Sequence, residues 1–471
     1  MNERKQQSSW ILLIAVFLLG FLLNEYSGSL VSAVTDKSYE NLKVFSDVLY
    51  IIQKDYVEET KVDDLVEGAI KGMLNMLDPH SAYMPPDMYQ EMQVETKGSF
   101  GGLGIELTVK DGTLTVVAPI EDTPAFRAGI KAGDQIVKIE GSSTKDMTIM
   151  DAVKKLRGKK GTTVTISIIR EGLTEPKDIK ITRDTIEIKS VKSKIIDERI
   201  GYIRITQFQE HTARDFSEAL KGFEQQVAKP IGLILDLRNN PGGLLEQAVE
   251  VSDEFVDSGL IVYTEGRTPD QRMEFRARPN DKKRDYPIIV LVNAGTASGS
   301  EIVAGALQDD ELALIMGTTT FGKGSVQTVI PLENGAGMRL TTAKYFTPKG
   351  RLIHAKGIEP DIVVEDSIEQ IAKDMPGVRF IREKDLQGEK DEEATSDQKS
   401  KEGVNNEPAK EGTNDRNSDK PAGSTLSPES QKKEDGPDSD PPLDRAVELL
   451  KSWKVFRQIG NGSTTKIDKA L

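Results

Sequence analysis

The chain has no cysteine among its 471 residues. That absence excludes disulfides, thiolate metal sites, a cysteine nucleophile and a lipoprotein anchor, and it is compatible with an oxidising compartment. Histidine is almost as scarce. His80, His211 and His354 lie far apart, and none has metal-ligand spacing such as HExxH. The chemistry expected is therefore one without metal or cofactor. An excess of positive charge is missing as well: the net charge is −14, which argues against a nucleic-acid partner. The acidity is uneven, because residues 387–440 carry 15 acidic against 8 basic side chains, half of the whole excess. That segment has no aromatic residue, and Val404 and Leu426 are its only branched aliphatics. It cannot bury enough surface to offset its chain entropy, so it is expected to be disordered.

The N-terminus lacks a full bilayer-spanning run. Arg4 and Lys5 precede fourteen apolar residues, Trp10 to Leu23, which fits an export signal better than a complete span. "VSA", Val31 to Ala33, resembles a cleavage site, yet it ends about ten residues beyond the apolar run. Residues 1–33 are thus read as a signal peptide or as a retained membrane anchor. Either way the remainder is expected outside the cytoplasm, in the cell envelope, at the periplasm or the outer face of the inner membrane. The membrane is a partner if the segment is kept.

Beyond it, the length suits about three domains. Residues 34–97 read as helical. Leu42, Phe45, Val48, Leu49, Ile52 and Tyr56 recur at helical spacing, then Val62, Leu65, Val66, Ala69, Met73 and Leu77. "LDPHSAYMPP", Leu77 to Pro86, stops the second helix. This pair is a packed cap or a homodimer contact, and both readings stay open here. Residues 98–185 change to short strands, with a helix at "IMDAVKKLRG". Their order resembles a PDZ domain. "GLGI" then resembles its carboxylate-binding loop, with Leu103, Gly104 and Ile105 receiving the end of a peptide that adds as a strand. Residues 186–386 alternate strands and helices. "PIGLILDLR" and "YPIIVLVN" are continuous apolar runs, each ending in a Gly-rich turn before a helix, as buried strands of an α/β core do. In residues 441–471, Leu443, Ala446, Val447, Leu450 and Trp453 return to helical spacing. That helix is expected to pack back on the core, making the acidic segment an insertion. The fold class expected is multidomain, α/β and β: an α/β core with an inserted PDZ domain, N-terminal helices and a C-terminal helix.

"GTTTFGKGS", Gly317 to Ser325, nearly completes the skeleton of a phosphate-binding loop. It fails because Gly324 stands where a Ser or Thr should meet magnesium. "SVQTVIPL" then follows as a strand, whereas the loop should open a helix. Upstream, "NAGTASGSE", Asn293 to Glu301, presents three hydroxyls at a tight strand-to-helix turn, a geometry that exposes a nucleophile. Ser298 and Glu301 also form S-x-x-E, a capping box, and the local pattern alone favours the cap.

Taken in order, "LDPHSAY", the PDZ segment, "LDLRNNPGG", "NAGTASGSEI", "FGKGSVQ" and "GIEPDIVV" resemble the C-terminal processing peptidases, the tail-specific serine proteases. The resemblance implies a Ser298–Lys323 dyad with Gln327 orienting the lysine. It also implies an oxyanion hole from the N–H of Gly242 or Gly243 and that of Gly299. The chemistry is coherent: a lysine acts as base only when neutral, and burial lowers its pKa. An uncharged orienting group suits it, since a carboxylate would hold the proton. The function expected is a serine endopeptidase whose PDZ domain captures the C-terminal tails of protein substrates. The alternative is a catalytically silent PDZ scaffold of the cell envelope. A hydrolase of small amides is a weaker rival, as is a triad recruiting His354 and Asp361. Arg157, ending the second PDZ helix, is a candidate contact between that domain and the site. "SSTK", Ser142 to Lys145, matches S-x-x-K by chance, since S-x-x-K recurs at Ser396 and Ser430.

Overall fold

A computed structural model describes residues 39–110, 112–170, 172–279, 284–366, 381–386 and 440–453. The expected signal or anchor and nearly all of the acidic segment lie outside the described residues. Among the described residues no helix is long and apolar enough to cross a membrane.

The chain divides after Asp78. The first unit holds two helices, residues 39–55 and Val62–Asn75. Leu42, Phe45, Val48 and Met73, all on the apolar stripes read from the sequence, are exposed.

In the second unit, the strands Ser99–Gly102 and Asp184–Glu187 pair antiparallel and bring the two ends of the intervening segment together. That segment has its own core, including Val116, Ile136, Ala152, Leu156, Ile166 and Ile181. Its sheet runs Ile105–Lys110, Thr113–Pro119, Gln135–Ile139, Thr163–Ile169, Lys177–Thr182, so Ile105–Lys110 is an edge strand. The helix Ile149–Leu156 packs beside it. A reciprocal box starts this helix: the Asp151 N–H donates to Thr148 Oγ1 (3.1 Å) and the Thr148 N–H to Asp151 Oδ2 (3.2 Å).

The α/β core is a six-stranded sheet in the order Val191–Ile196, Ile200–Ile205, Gly232–Asp236, Ile288–Val292, Leu314–Gly317, Ile362–Val363. Only the first pair is antiparallel. Gly232–Asp236 and Ile288–Val292 are buried at every position, which is why they read as unbroken apolar runs. One face packs the helices Thr212–Gln226, Leu245–Asp253 and Gly299–Asp309 through Phe208, Phe216, Leu220, Val251 and Leu307. The other receives residues 441–453, also helical, through Ala446 and Leu450. Gly232 gives that helix room: a Cβ there would come within 2.5 Å of the Leu450 side chain.

A second sheet runs Ala82–Met84, Gly337–Phe346, Gly259–Gly266, Met273–Ala277, with Ser325–Pro331 also paired to Gly337–Phe346. "SVQTVIPL" is therefore a strand, as its alternation predicts, with a register shift between Val326 and Gln327.

Candidate active site

The buried strand Ile288–Val292 leads through a tight turn into the helix Gly299–Asp309. Of the three hydroxyls there, two are fully buried and bonded. Thr296 Oγ1 donates to the Leu237 carbonyl (2.9 Å) and Ser300 Oγ to the Asn240 carbonyl (3.0 Å). Ser298 is the partly exposed one. Its backbone sits at φ 55°, ψ −116°, a region that side-chain-bearing residues avoid and that recurs where a turn must present a functional group. The Glu301 N–H, which a capping hydroxyl would take, bonds instead to the Ser298 carbonyl (2.9 Å). Ser298 and Glu301 nonetheless face each other as the capping box that S-x-x-E displays, its stronger arm being the Ser298 N–H on the Glu301 carboxylate.

Glu301 does more than complete a cap. It is fully buried. Its Oε2 accepts the Ser298 N–H (2.8 Å) and the Lys323 N–H (2.9 Å). Its Oε1 accepts the Gly322 N–H (2.8 Å) and the Thr320 hydroxyl. The amides of Ser298 and Lys323 thus hang on one oxygen, and their nitrogens lie no farther apart than two hydrogen bonds laid end to end. Burial pushes the Glu301 carboxyl up to about 7, against the pull of Thr320 and the three amides. Four donors and no acceptor face it, so the bonded form is the carboxylate.

Lys323 is half-buried. Burial holds its amine below the usual lysine range, Arg339 pushes the same way, and Glu383 and Glu301 oppose. The glycines beside it serve packing. A Cβ on Gly324 would fall 2.1 Å from the His354 amide nitrogen, and the Gly324 carbonyl accepts the Tyr345 N–H (2.7 Å). This explains the resemblance to a phosphate loop: the glycines let two chain segments touch. Gln327 donates its amide protons to Ser325 Oγ (3.1 Å) and Thr341 Oγ1 (3.0 Å). Its carbonyl oxygen is the end left to accept a proton from an amine.

Opposite the Ser298 turn, a Cβ on Gly242 would lie 2.7 Å from Ser298 Cβ and 2.9 Å from the Gly299 nitrogen, and φ there is +99°. Only glycine fits. Of the two candidate donors in this loop, Gly242 is already occupied: its N–H bonds to Asn240 Oδ1 (2.9 Å). Among the described residues the Gly243 N–H has no such partner. Gly242 therefore serves by close approach, and Gly243 is the donor compatible with the loop.

In the inserted domain the Leu103 carbonyl accepts the Ala125 N–H (2.9 Å), and the Gly104 carbonyl accepts the Ile120 N–H (2.9 Å) and the Thr123 hydroxyl (3.2 Å). Both carbonyls turn inward, as a loop offering N–H groups requires. Ile105 then opens the free edge strand. Arg157 bonds to Glu91 on the helix Pro86–Lys97 (3.0 Å through Nη2) and lies 4.4 Å over the Phe100 ring. In "SSTK" Ser142, Ser143 and Lys145 are exposed at a hairpin end, while Thr144 is buried and its hydroxyl donates to the Ile136 carbonyl (2.6 Å). His354 and Asp361 are not brought together. Asp361 accepts the Ile315 N–H (2.7 Å), while His354 Nδ1 lies 3.7 Å from Glu383.

Residues 199–364 match peptidase family S41, residues 101–181 a PDZ domain, and residues 25–88 the activating protease CtpB N-terminal domain. A carboxy-terminal-processing protease of Bartonella bacilliformis is 47% identical over 361 residues, 76% of this chain and 83% of the relative. The chain belongs to peptidase family S41. It is a carboxy-terminal-processing serine peptidase with a PDZ domain. The carboxy-terminal processing protease CtpA of Bacillus subtilis is 42% identical over 335 residues, 70% of this chain and 68% of that one. Among solved structures, the photosystem II D1 C-terminal processing protease is similar at 30% identity and a TM-score of 0.41, over 68% of this chain and 92% of that one. Sequence reasoning about this peptidase missed the fourfold role of Glu301, although S-x-x-E displayed the residue. It missed Asn240 and Glu383 altogether: the first looked like part of a turn, and the second carries no motif.

Proposed function

We propose that the peptidase works by a Ser298–Lys323 dyad. The observation that carries the reading is the shared Glu301 oxygen, which ties the main chains of both residues to one point. Lys323, whose proton burial makes easier to release, takes the Ser298 hydroxyl proton in its free-amine form as Oγ attacks the scissile carbonyl. The N–H groups of Gly243 and Gly299 receive the oxyanion, each donor contributing about 2.7–4 kcal/mol. The ammonium returns its proton to the leaving amine, and the amine then activates water to hydrolyse the acyl-enzyme. Gln327 holds the amine through its carbonyl oxygen.

Substrate choice follows from the edge strand Ile105–Lys110. The C-terminal tail of a protein adds to it as a further strand, and the Leu103–Ile105 loop takes the terminal carboxylate. The enzyme is exported to the cell envelope, with residues 1–33 as signal or anchor. The exposed apolar stripes of its N-terminal helices suit a homodimer.

Casein digestion tests the dyad. Ser298→Ala and Lys323→Ala are each expected to abolish turnover, and His354→Ala to retain it. Activity should rise through the pH range in which Lys323 loses its proton. A profile governed by a group near a histidine's ~6.5, with activity lost in His354→Ala, would replace the dyad by a triad. Activity in Ser298→Ala would take the nucleophile role from Ser298, and a wild type without activity would favour the scaffold reading.

A further inference from the structure

Two of the three histidines lie together beside the lysine loop, unused by the mechanism. His80 comes from "LDPHSAY". Its Nε2 is 2.8 Å from both carboxylate oxygens of Glu383, a side chain with no solvent exposure. His354 Nδ1 is 3.7 Å from Glu383 Oε1. Glu383 comes from residues 381–386, beyond the matched peptidase region, and its N–H donates to the Phe321 carbonyl (3.1 Å), two residues before Lys323. Arg339 Nε donates to the His80 carbonyl (2.9 Å). The charged groups acting on Lys323 are therefore Glu301 from the nucleophile helix, Arg339 from the strand Gly337–Phe346, and Glu383 from this segment, with both histidines on Glu383. Tyr345, whose N–H holds Gly324, stays neutral, since burial pushes its hydroxyl up to about 12.

We infer that Glu383 and His80 are positioning residues for the base: the Glu383 main chain anchors the Phe321–Lys323 loop, and its carboxylate, offset by His80, sets how readily Lys323 releases its proton. The inference rests on the dyad reading. A carboxylate near a lysine favours the ammonium, and a cation favours the free amine. Arg339 and Glu383 act on the amine in opposite directions. The imidazole on both oxygens of Glu383 lowers the field that the carboxylate exerts on the lysine loop.

The two partners give the test opposite signs. Glu383→Gln keeps the shape and removes the charge. It is expected to move the acid limb of kcat/KM on casein down by about 1 pH unit, within the range a nearby charge produces. His80→Gln leaves the carboxylate without its imidazole and is expected to move the limb upward. A group that only supports the fold would lower the rate without moving the limb. The inference is overturned if the Glu383→Gln limb stays where the wild type has it, or if both variants move it the same way. Should Glu383→Gln melt before assay, His80→Gln decides alone, and an unmoved limb overturns the inference. Lys323→Ala separates the two levels. Turnover in that variant sinks the dyad reading, and with it this inference. An inactive Lys323→Ala beside an unmoved limb sinks this inference only.

Discussion

Glu301 is one buried residue that ties the main chains of both members of the proposed dyad together. Its two oxygens take four donors, three of them main-chain amides from two separate segments. A glutamine of the same shape would turn an NH2 toward two of those donors, and a buried donor left without an acceptor costs about 1–3 kcal/mol. Glu301→Gln is therefore expected to lower unfolding stability by about 2–6 kcal/mol, counting two such losses. It should reduce kcat far more than KM, because the substrate-binding edge lies in another domain. Denaturant unfolding and steady-state kinetics on the same preparation check both parts. A variant of wild-type stability and turnover would remove Glu301 from the account.

At the scale of elements, the structure explains which parts of the sequence could be read. The strands Gly232–Asp236 and Ile288–Val292 were legible because burial on both faces demands apolar residues throughout. "SVQTVIPL" was legible because alternation is a local property, and the bulge between Val326 and Gln327 was not, since nothing local announces it. Ser298, Lys323 and Gln327 came from the family resemblance carried by motifs in fixed order, and their roles belong to the proposed dyad. The Asn240 bond that occupies the Gly242 amide was not, because it depends on how a loop closes in space. The same holds for the C-terminal helix. Its apolar periodicity was plain, but its anchor was not. Asp440 takes the buried Arg238 guanidinium through Nη1 (2.6 Å) and Nη2 (2.9 Å), and Asp236 takes the other side (Nη2, 2.7 Å). Burial raises the Asp440 carboxyl, but Arg238 outweighs it and holds it below the usual range. A depressed carboxylate contributes stability above its unfolded value and loses it as pH falls through the folded one. The docking of this helix should therefore weaken only in acid, below about pH 4. Asp440→Asn is expected to cost on the order of 1–2 kcal/mol at neutral pH, read as faster amide exchange across residues 446–453. Unchanged exchange would show that Ala446 and Leu450 suffice to hold the helix.

At the scale of the molecule, the proposed function gives the recognition of a chain end and the cutting of a bond to separate domains. The inserted domain carries its own core, and the paired strands Ser99–Gly102 and Asp184–Glu187 close its neck. A unit whose ends meet and whose apolar side chains pack on one another should fold when cut out. Residues 98–185 expressed alone are therefore expected to unfold cooperatively and to bind a peptide through its C-terminus. The specific contact is between the free carboxylate and the N–H groups of the Leu103–Ile105 loop, a charge-assisted bond that contributes about 1.5–3 kcal/mol. Amidating the peptide should then weaken binding by roughly tenfold to a hundredfold. The full-length enzyme should lose rate on the amidated peptide by a similar factor in KM, with kcat little changed, because Ser298 and Lys323 do not meet the chain end. If titration calorimetry on the isolated domain gives equal affinity for free and amidated peptides, tail capture by this loop fails, while the chemistry at Ser298 stands on its own tests.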